Sequence, residues 1–225
     1  MKNNLFCLAT MALMAMSAAG SAQAQAVGSL TVRLGATMIK PAVSSGDLSA
    51  PSLVGTKVDI KDASQITGGV FYMLTENIAI DVPIGIPFKH DVMGAGAIEG
   101  TGKLADVKAL PITVTAQYRF GAPSSMFRPF VGAGLTYAVF SNAKATSALS
   151  GLTGGSPSNP TTMSMKNAYG PTVQLGLDVK FSDRWSLNGS VTKVLLKTTG
   201  TLSTGQTIET ELNPLALSFG IGYTF

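Results

Sequence analysis

Eight stretches of this 225-residue chain alternate large apolar residues with small or polar ones, residue by residue. They are SLTVRLGATMIK (29–40), SQITGGVFYML (64–74), IAIDVPIGIPF (78–88), ALPITVTAQYRF (109–120), PFVGAGLTYAVF (129–140), YGPTVQLGLDVKF (169–181), RWSLNGSVTKVLL (184–196) and LALSFGIGYTF (215–225). Successive side chains of a strand point to opposite faces, so each stretch reads as a strand with one greasy and one lean face. In the third, Ile78, Ile80, Val82, Ile84, Ile86 and Phe88 oppose Ala79, Asp81, Pro83, Gly85 and Pro87. Strands of about 9–11 tilted residues cross a bilayer.

The linkers separate into two kinds. Segments 75–77, 121–127 and 182–184 are short and turn-forming, whereas 41–57, 89–106, 141–168 and 197–209 are long. Short periplasmic turns and long external loops mark outer-membrane barrels. Tyr72, Tyr118, Phe120, Phe181, Trp185, Tyr223 and Phe225 are expected in an aromatic girdle at the turn side, and Phe88, Phe140 and Tyr169 in another at the loop side. The expected fold is all-β: an eight-stranded antiparallel transmembrane β-barrel whose last strand closes on the first, with both termini in the periplasm. A soluble barrel with the greasy face turned inward is the alternative; it needs neither aromatic belts nor a lean, glycine-rich opposite face.

Composition agrees. Only 12% of residues are charged, about half the usual share, and mean hydropathy is +0.31. The one apolar run approaching helical length is N-terminal. Lys2, an apolar stretch from Leu5 to about Met16 and A-x-A sites at Ala22–Ala24 and Ala24–Ala26 predict a signal peptide over residues 1–24, cut before Gln25 or Val27. Residues 27–225 are then a single barrel domain. Cys7, the sole cysteine, leaves with the signal, so disulfides and thiol chemistry are not expected.

Five stretches, TENIAIDVPIGIPFKHDV (75–92), VKALPITVTAQYRF (107–120), PFVGAGLTYAVF (129–140), YGPTVQLGLDVKFSDRWSLNGSV (169–191) and the terminal GIGYTF, resemble the OmpW family of small outer-membrane proteins in content and order. The resemblance implies an eight-stranded barrel with a narrow, mainly hydrophobic channel for small apolar molecules, relatives assisting uptake of alkanes. Segment 141–167 has no counterpart in it.

Catalytic chemistry finds little footing. His90 is the only histidine and is expected at the outer rim; Asp91, adjacent on a strand, points to the opposite face, and no nucleophile stands out by motif. With no phosphate loop, HExxH motif, metal cluster or basic aromatic tract, the reading is no enzyme, no cofactor, no metal and no nucleic acid. A lipid-modifying enzyme using His90 is the outlying alternative.

The inward phase carries the candidate site. Arg33, Asp81, Gln117, Arg119, Asp178 and Asn188 fall near the periplasmic turns and should pair as a polar plug, because an isolated buried charge is too costly. Toward the loops, Ile39, Pro83, Pro87, Val194 and Leu196 suggest an apolar upper lumen. Proline cannot donate to a strand ladder, so Pro83, Pro87 and Pro111 mark a candidate lateral seam between the third and fourth strands. Lysines at the loop side, including Lys40, Lys57, Lys61, Lys89, Lys103, Lys108, Lys144, Lys166 and Lys197, suit lipopolysaccharide phosphates or simple loop solubility.

The expected function is passive uptake of small hydrophobic molecules through this lumen, with lateral exit to the membrane. The alternative is a structural or surface-interaction barrel with a sealed lumen, binding phage, host or lipopolysaccharide. Expected partners are outer-membrane lipid and lipopolysaccharide, a small hydrophobic ligand, and the assembly machinery that reads the Phe225 terminus.

Overall fold

A computed structural model describes residues 25–156 and 158–225; the expected signal peptide, with Cys7, lies outside the described residues. In chain order the elements are β1 (Leu30–Lys40), β2 (Ser44–Ser45), β3 (Thr56–Ile60), β4 (Ala63–Met73), β5 (Ile78–Gly85), β6 (Phe88–Gly96), β7 (Lys103–Arg119), β8 (Phe127–Ala145), α1 (Ser147–Thr153), β9 (Met163–Met165), β10 (Ala168–Lys180), β11 (Trp185–Val194), β12 (Lys197–Leu202), β13 (Thr207–Glu211) and β14 (Leu215–Thr224). Eight of these form the closed antiparallel barrel, in the order β5, β4, β1, β14, β11, β10, β8, β7 and back to β5. The first and last strands pair from Thr31↔Thr224 to Lys40↔Leu215. Closure gives every barrel strand a partner on both sides, which a lipid environment demands of strands.

Alternation sets what each strand shows. Leu34, Ile66, Ile84, Leu135, Leu175 and Phe219 are each more than half exposed and form the lipid-facing band, while Thr31, Thr115, Gln117, Thr136 and Thr172 are buried inside. At the turn side, Trp185, Tyr223 and Phe225 stack edge to face at 4.9 and 4.7 Å between centroids, as do Tyr118 and Phe120 at 5.1 Å. The short turns are tied locally. Thr75 Oγ1 accepts from Ile78 N at 2.9 Å, and Ser182 Oγ accepts from Trp185 N at 3.1 Å. Both are hydroxyls holding an N–H three residues on.

Above the lipid band the expected long loops are folded. β7 and β8 run on past the other strands, β6 pairs with β3, and β2, β13, β12 and β9 make a second, four-stranded sheet. Segment 141–168 carries α1, whose N-cap Thr146 accepts from Leu149 N and whose C-cap Gly154 takes φ +81°.

Two aromatic assignments need correction. The unbroken alternation through Phe88 fails because β5 stops at Gly85 and β6 restarts at Phe88; the shift turns Phe88 inward, where it is only 3% exposed. Phe140 likewise lines the interior rather than the lipid. At the loop side, Tyr169 is 81% exposed and its cross-strand neighbour Tyr137 takes the place expected of Phe140.

Candidate functional site

The base of the lumen is a charged cluster. Arg33 binds Asp81 and Arg119 binds Asp178, in both cases guanidinium to carboxylate; Asp81, Arg119 and Asp178 are fully buried. Asn188 Nδ2 donates to the second Asp178 oxygen at 2.5 Å, and Gln117 Nε2 donates to Gln174 Oε1 at 2.7 Å. The six residues expected on the inward phase are thus together at the base. The strands bring them there in register: Asp178 lies opposite Asn188 on β11 and opposite Arg128 on β8.

Besides Gln174, four further participants lie outside those six. Phe71 and Phe130, both fully buried, flank the Arg119 guanidinium at 4.2 and 4.7 Å from its carbon to the ring centroids, and Arg33 lies 5.4 Å from Phe71. Such cation–π contacts strengthen when desolvated. Arg128, also fully buried, donates to Gln25 Oε1 at 3.0 Å and to the Glu76 carbonyl at 2.6 Å; Gln25 in turn donates to Asp178 at 3.1 Å. Parity along β8 places Arg128 and Phe130 in the same phase as Thr136, a signal available in the sequence. Gln25 is reached only through the fold.

That last contact bears on processing. Cleavage before Gln25 keeps its bonds to Asp178 and Arg128, and cleavage before Val27 removes them. The mature chain is therefore expected to begin at Gln25, and the intact mass of protein extracted from outer membranes checks this. A mass starting at Val27 would show that the plug forms without this residue.

Above the plug the wall is lined by threonines whose hydroxyls are spent on one another. Thr113, Thr136 and Thr172 form a chain at 2.8 and 2.6 Å, and Thr37 meets Thr67 and Ser218 at 2.8 Å each. Paired hydroxyls leave methyl groups as the surface offered to a ligand. Higher still, Ile39, Val194 and Leu196 are buried and line a cavity of about 170 Å³ with Pro83 and Phe88. Pro87 is exposed and does not line it, the same phase shift that turns Phe88 inward having turned Pro87 out.

Among the described residues, backbone pairing around the barrel lapses between β5 and β7. β5 pairs with β7 only from Ile78↔Tyr118 to Asp81↔Thr115, and pairing with β7 resumes on β6 at Phe88↔Ala109. Residues 82–87 and 110–114 face each other without ladder pairing, although 82–85 stay paired with β4 and 110–114 with β8. Pro83, Pro87 and Pro111 all fall in this gap. Five to six residues of strand span roughly 17–20 Å. Pro83, Ile84, Gly85, Leu110 and Pro111 line the cavity here, and Ile84 is at the same time 57% exposed on the outside.

His90 is not a rim residue. It is 6% exposed, lines the upper cavity, stacks on Phe88 at 6.5 Å and bonds through Nδ1 to the Lys61 carbonyl at 2.8 Å. Asp91 points the other way, as alternation requires, and pairs with Lys103. Several loop-side lysines are likewise occupied: Lys57 with Asp47, Lys61 with Asp59, Lys89 and Lys103 with Asp106, and Lys197 with Glu211.

This geometry agrees with known proteins. The chain is 31% identical over 210 residues to Outer membrane protein W of Escherichia coli, covering 92% of each. It is 26% identical over 200 residues to the dibenzothiophene metabolism operon protein PahQ of Pseudomonas aeruginosa, covering 87% of this chain and 88% of that one. The crystal structure of the outer membrane protein OprG from Pseudomonas aeruginosa superposes with a TM-score of 0.80 at 26% identity, over 90% of this chain and 98% of that one. The OmpW family model matches residues 26–225. A closed eight-stranded barrel with a lipid-facing apolar band, matched by that model over its whole length, places the chain in the OmpW family of outer-membrane proteins.

Proposed function

We propose that this protein mediates passive uptake of small hydrophobic molecules, which descend an apolar lumen and leave sideways between β5 and β7. The observation that carries the reading is the coincidence of a cavity lined mainly by apolar groups with a stretch of lapsed backbone pairing directly above a charged floor. A ligand with no affinity for charge cannot profitably cross the Arg–Asp plug, since nothing in the ligand replaces the interactions it would disturb. The unpaired stretch beside Pro83, Pro87 and Pro111 gives it an apolar way out. A relative named for a dibenzothiophene operon supports an apolar aromatic cargo.

The plug also favours a second reading, a structural barrel with a sealed lumen. Vesicles with a lipopolysaccharide outer leaflet separate the two. N-phenyl-1-naphthylamine, which fluoresces on reaching the bilayer, should enter faster when the protein is present, while a sugar of similar size should not. Equal dye entry with and without the protein would leave only the sealed barrel standing. Under either reading, Lys40, Lys108 and Lys166 at the loop side suit lipid phosphates, and exposed Phe225 at the end of the closing strand suits recognition by assembly machinery.

A further inference from the structure

A second cavity lies outside the barrel, in the folded loops. It measures about 110 Å³ and is walled by Ile98, Leu104, Leu149 and Leu202, which form one buried apolar cluster, together with residues of the 48–58 segment. At its mouth Leu53 is 67% and Leu152 42% exposed, and neighbouring Val54 is 85% exposed. These residues stand above the lipid band, so lipid does not explain their exposure. Grouped apolar side chains facing water mark an interaction site more often than chance.

The cavity wall offers little to a polar solute. Of the three hydroxyl residues lining it, two are already engaged: Ser52 Oγ accepts from Gln206 Nε2 at 2.5 Å, and Thr153 Oγ1 donates to the Leu149 carbonyl at 2.7 Å. The cavity also adjoins the lumen. Val58 and Met163 pack against both the cluster around this cavity and the cluster that includes Val194, Leu196 and Leu212 at the top of the lumen, and Val92 belongs to the latter while lining the former. Val58, Val92 and Met163 on the loop side and Ile60, Val107 and Leu196 on the lumen side stand between the two apolar spaces.

We propose that the loop cavity is a capture site for one small apolar molecule, a single aromatic ring or a short alkane, which then passes the Val58–Val92–Met163 partition into the lumen. The size supports this class: an apolar cavity of about 150 Å³ stays dry and takes benzene. The site is built largely by α1 and the 48–58 segment, elements that belong to the protein's own loops rather than to the barrel wall. The proposal rests on the uptake reading, and the two are separable by experiment.

The test is a toluene titration of methyl-labelled protein in nanodiscs, followed by NMR. Saturable shifts are expected at the methyls of Ile98, Leu104, Leu149 and Leu202. Leu152→Trp, which fills the mouth from an exposed position, should weaken them at least about tenfold, since added bulk in a closed apolar space has nowhere to go. Leu53→Ser gives the same direction by making the mouth polar, and serves if the tryptophan variant does not fold. Shifts confined to lumen methyls such as Val194 and Leu196, with dye entry intact, would overturn the capture site and leave uptake standing. Shifts at the loop methyls that neither substitution weakens would also overturn it. No shifts anywhere, with no dye entry, would end both readings.

Discussion

Asp178→Ala is expected to be the most destabilising single substitution in the periplasmic half of the barrel. Asp178 accepts from Arg119, Asn188 and Gln25 at once, and it is fully buried. Removing it leaves the Arg119 guanidinium between Phe71 and Phe130 with no carboxylate, and breaking a buried pair by deleting one partner costs about 3–5 kcal/mol. Asp81→Ala should cost less, because its partner Arg33 is not wholly buried, its side chain being 10% exposed. Unfolding in detergent by heat or urea, with Asp178→Asn as the variant that keeps shape and loses charge, reads the effect. The alanine variant should also raise the conductance of planar bilayers if the plug closes the lumen below. An unchanged unfolding midpoint together with a silent bilayer would show that these charges neither hold the fold nor block the pore.

The same cluster shows where sequence reasoning succeeds and where it stops. Arg33, Asp81, Gln117, Arg119, Asp178 and Asn188 were legible because each breaks the apolar rule on a strand whose phase is fixed by its lipid face. A one-residue slip would expose all of them to lipid, so the pattern leaves a single register. Arg128 and Phe130 obey the same parity but sit at the start of β8, where the pattern has had few residues to establish itself. Phe71 was hidden by its neighbours Val70 and Tyr72, since a large aromatic between two apolar residues reads as part of either face. Above the lipid the logic fails for a physical reason. No bilayer demands an apolar outer face there, so β6, β12 and β13 carry no strict alternation and read as loops. The slip at Ile86–Pro87–Phe88 has the same origin: the chain was apolar on both sides of a break that only backbone pairing reveals.

Locking the seam between β5 and β7 should abolish apolar uptake without unfolding the barrel. Counting on from Asp81↔Thr115 puts Thr113 opposite Pro83, and counting back from Phe88↔Ala109 puts it opposite Ile84, so the register slips by one within the gap. Pro83→Cys with Thr113→Cys is the better pair, and it also removes one of the three prolines. A disulfide requires Cα atoms within about 4.4–6.8 Å, so a short bis-maleimide serves if the gap is too wide to oxidise. Residues 25–225 contain no cysteine, so no other thiol of the barrel interferes. Lys89→Cys with Lys108→Cys, register partners on β6 and β7 above the gap, supplies a control that cross-links the same two edges where they are already paired. Dye entry into lipopolysaccharide-bearing vesicles should fall to the protein-free level in the linked seam variant, recover on reduction of its disulfide, and stay at the wild-type level in the control. Equal entry through the linked and reduced seam, in protein shown to be folded by its heat-modifiable mobility, would mean that the ligand leaves by another path and that the prolines only mark a bulge.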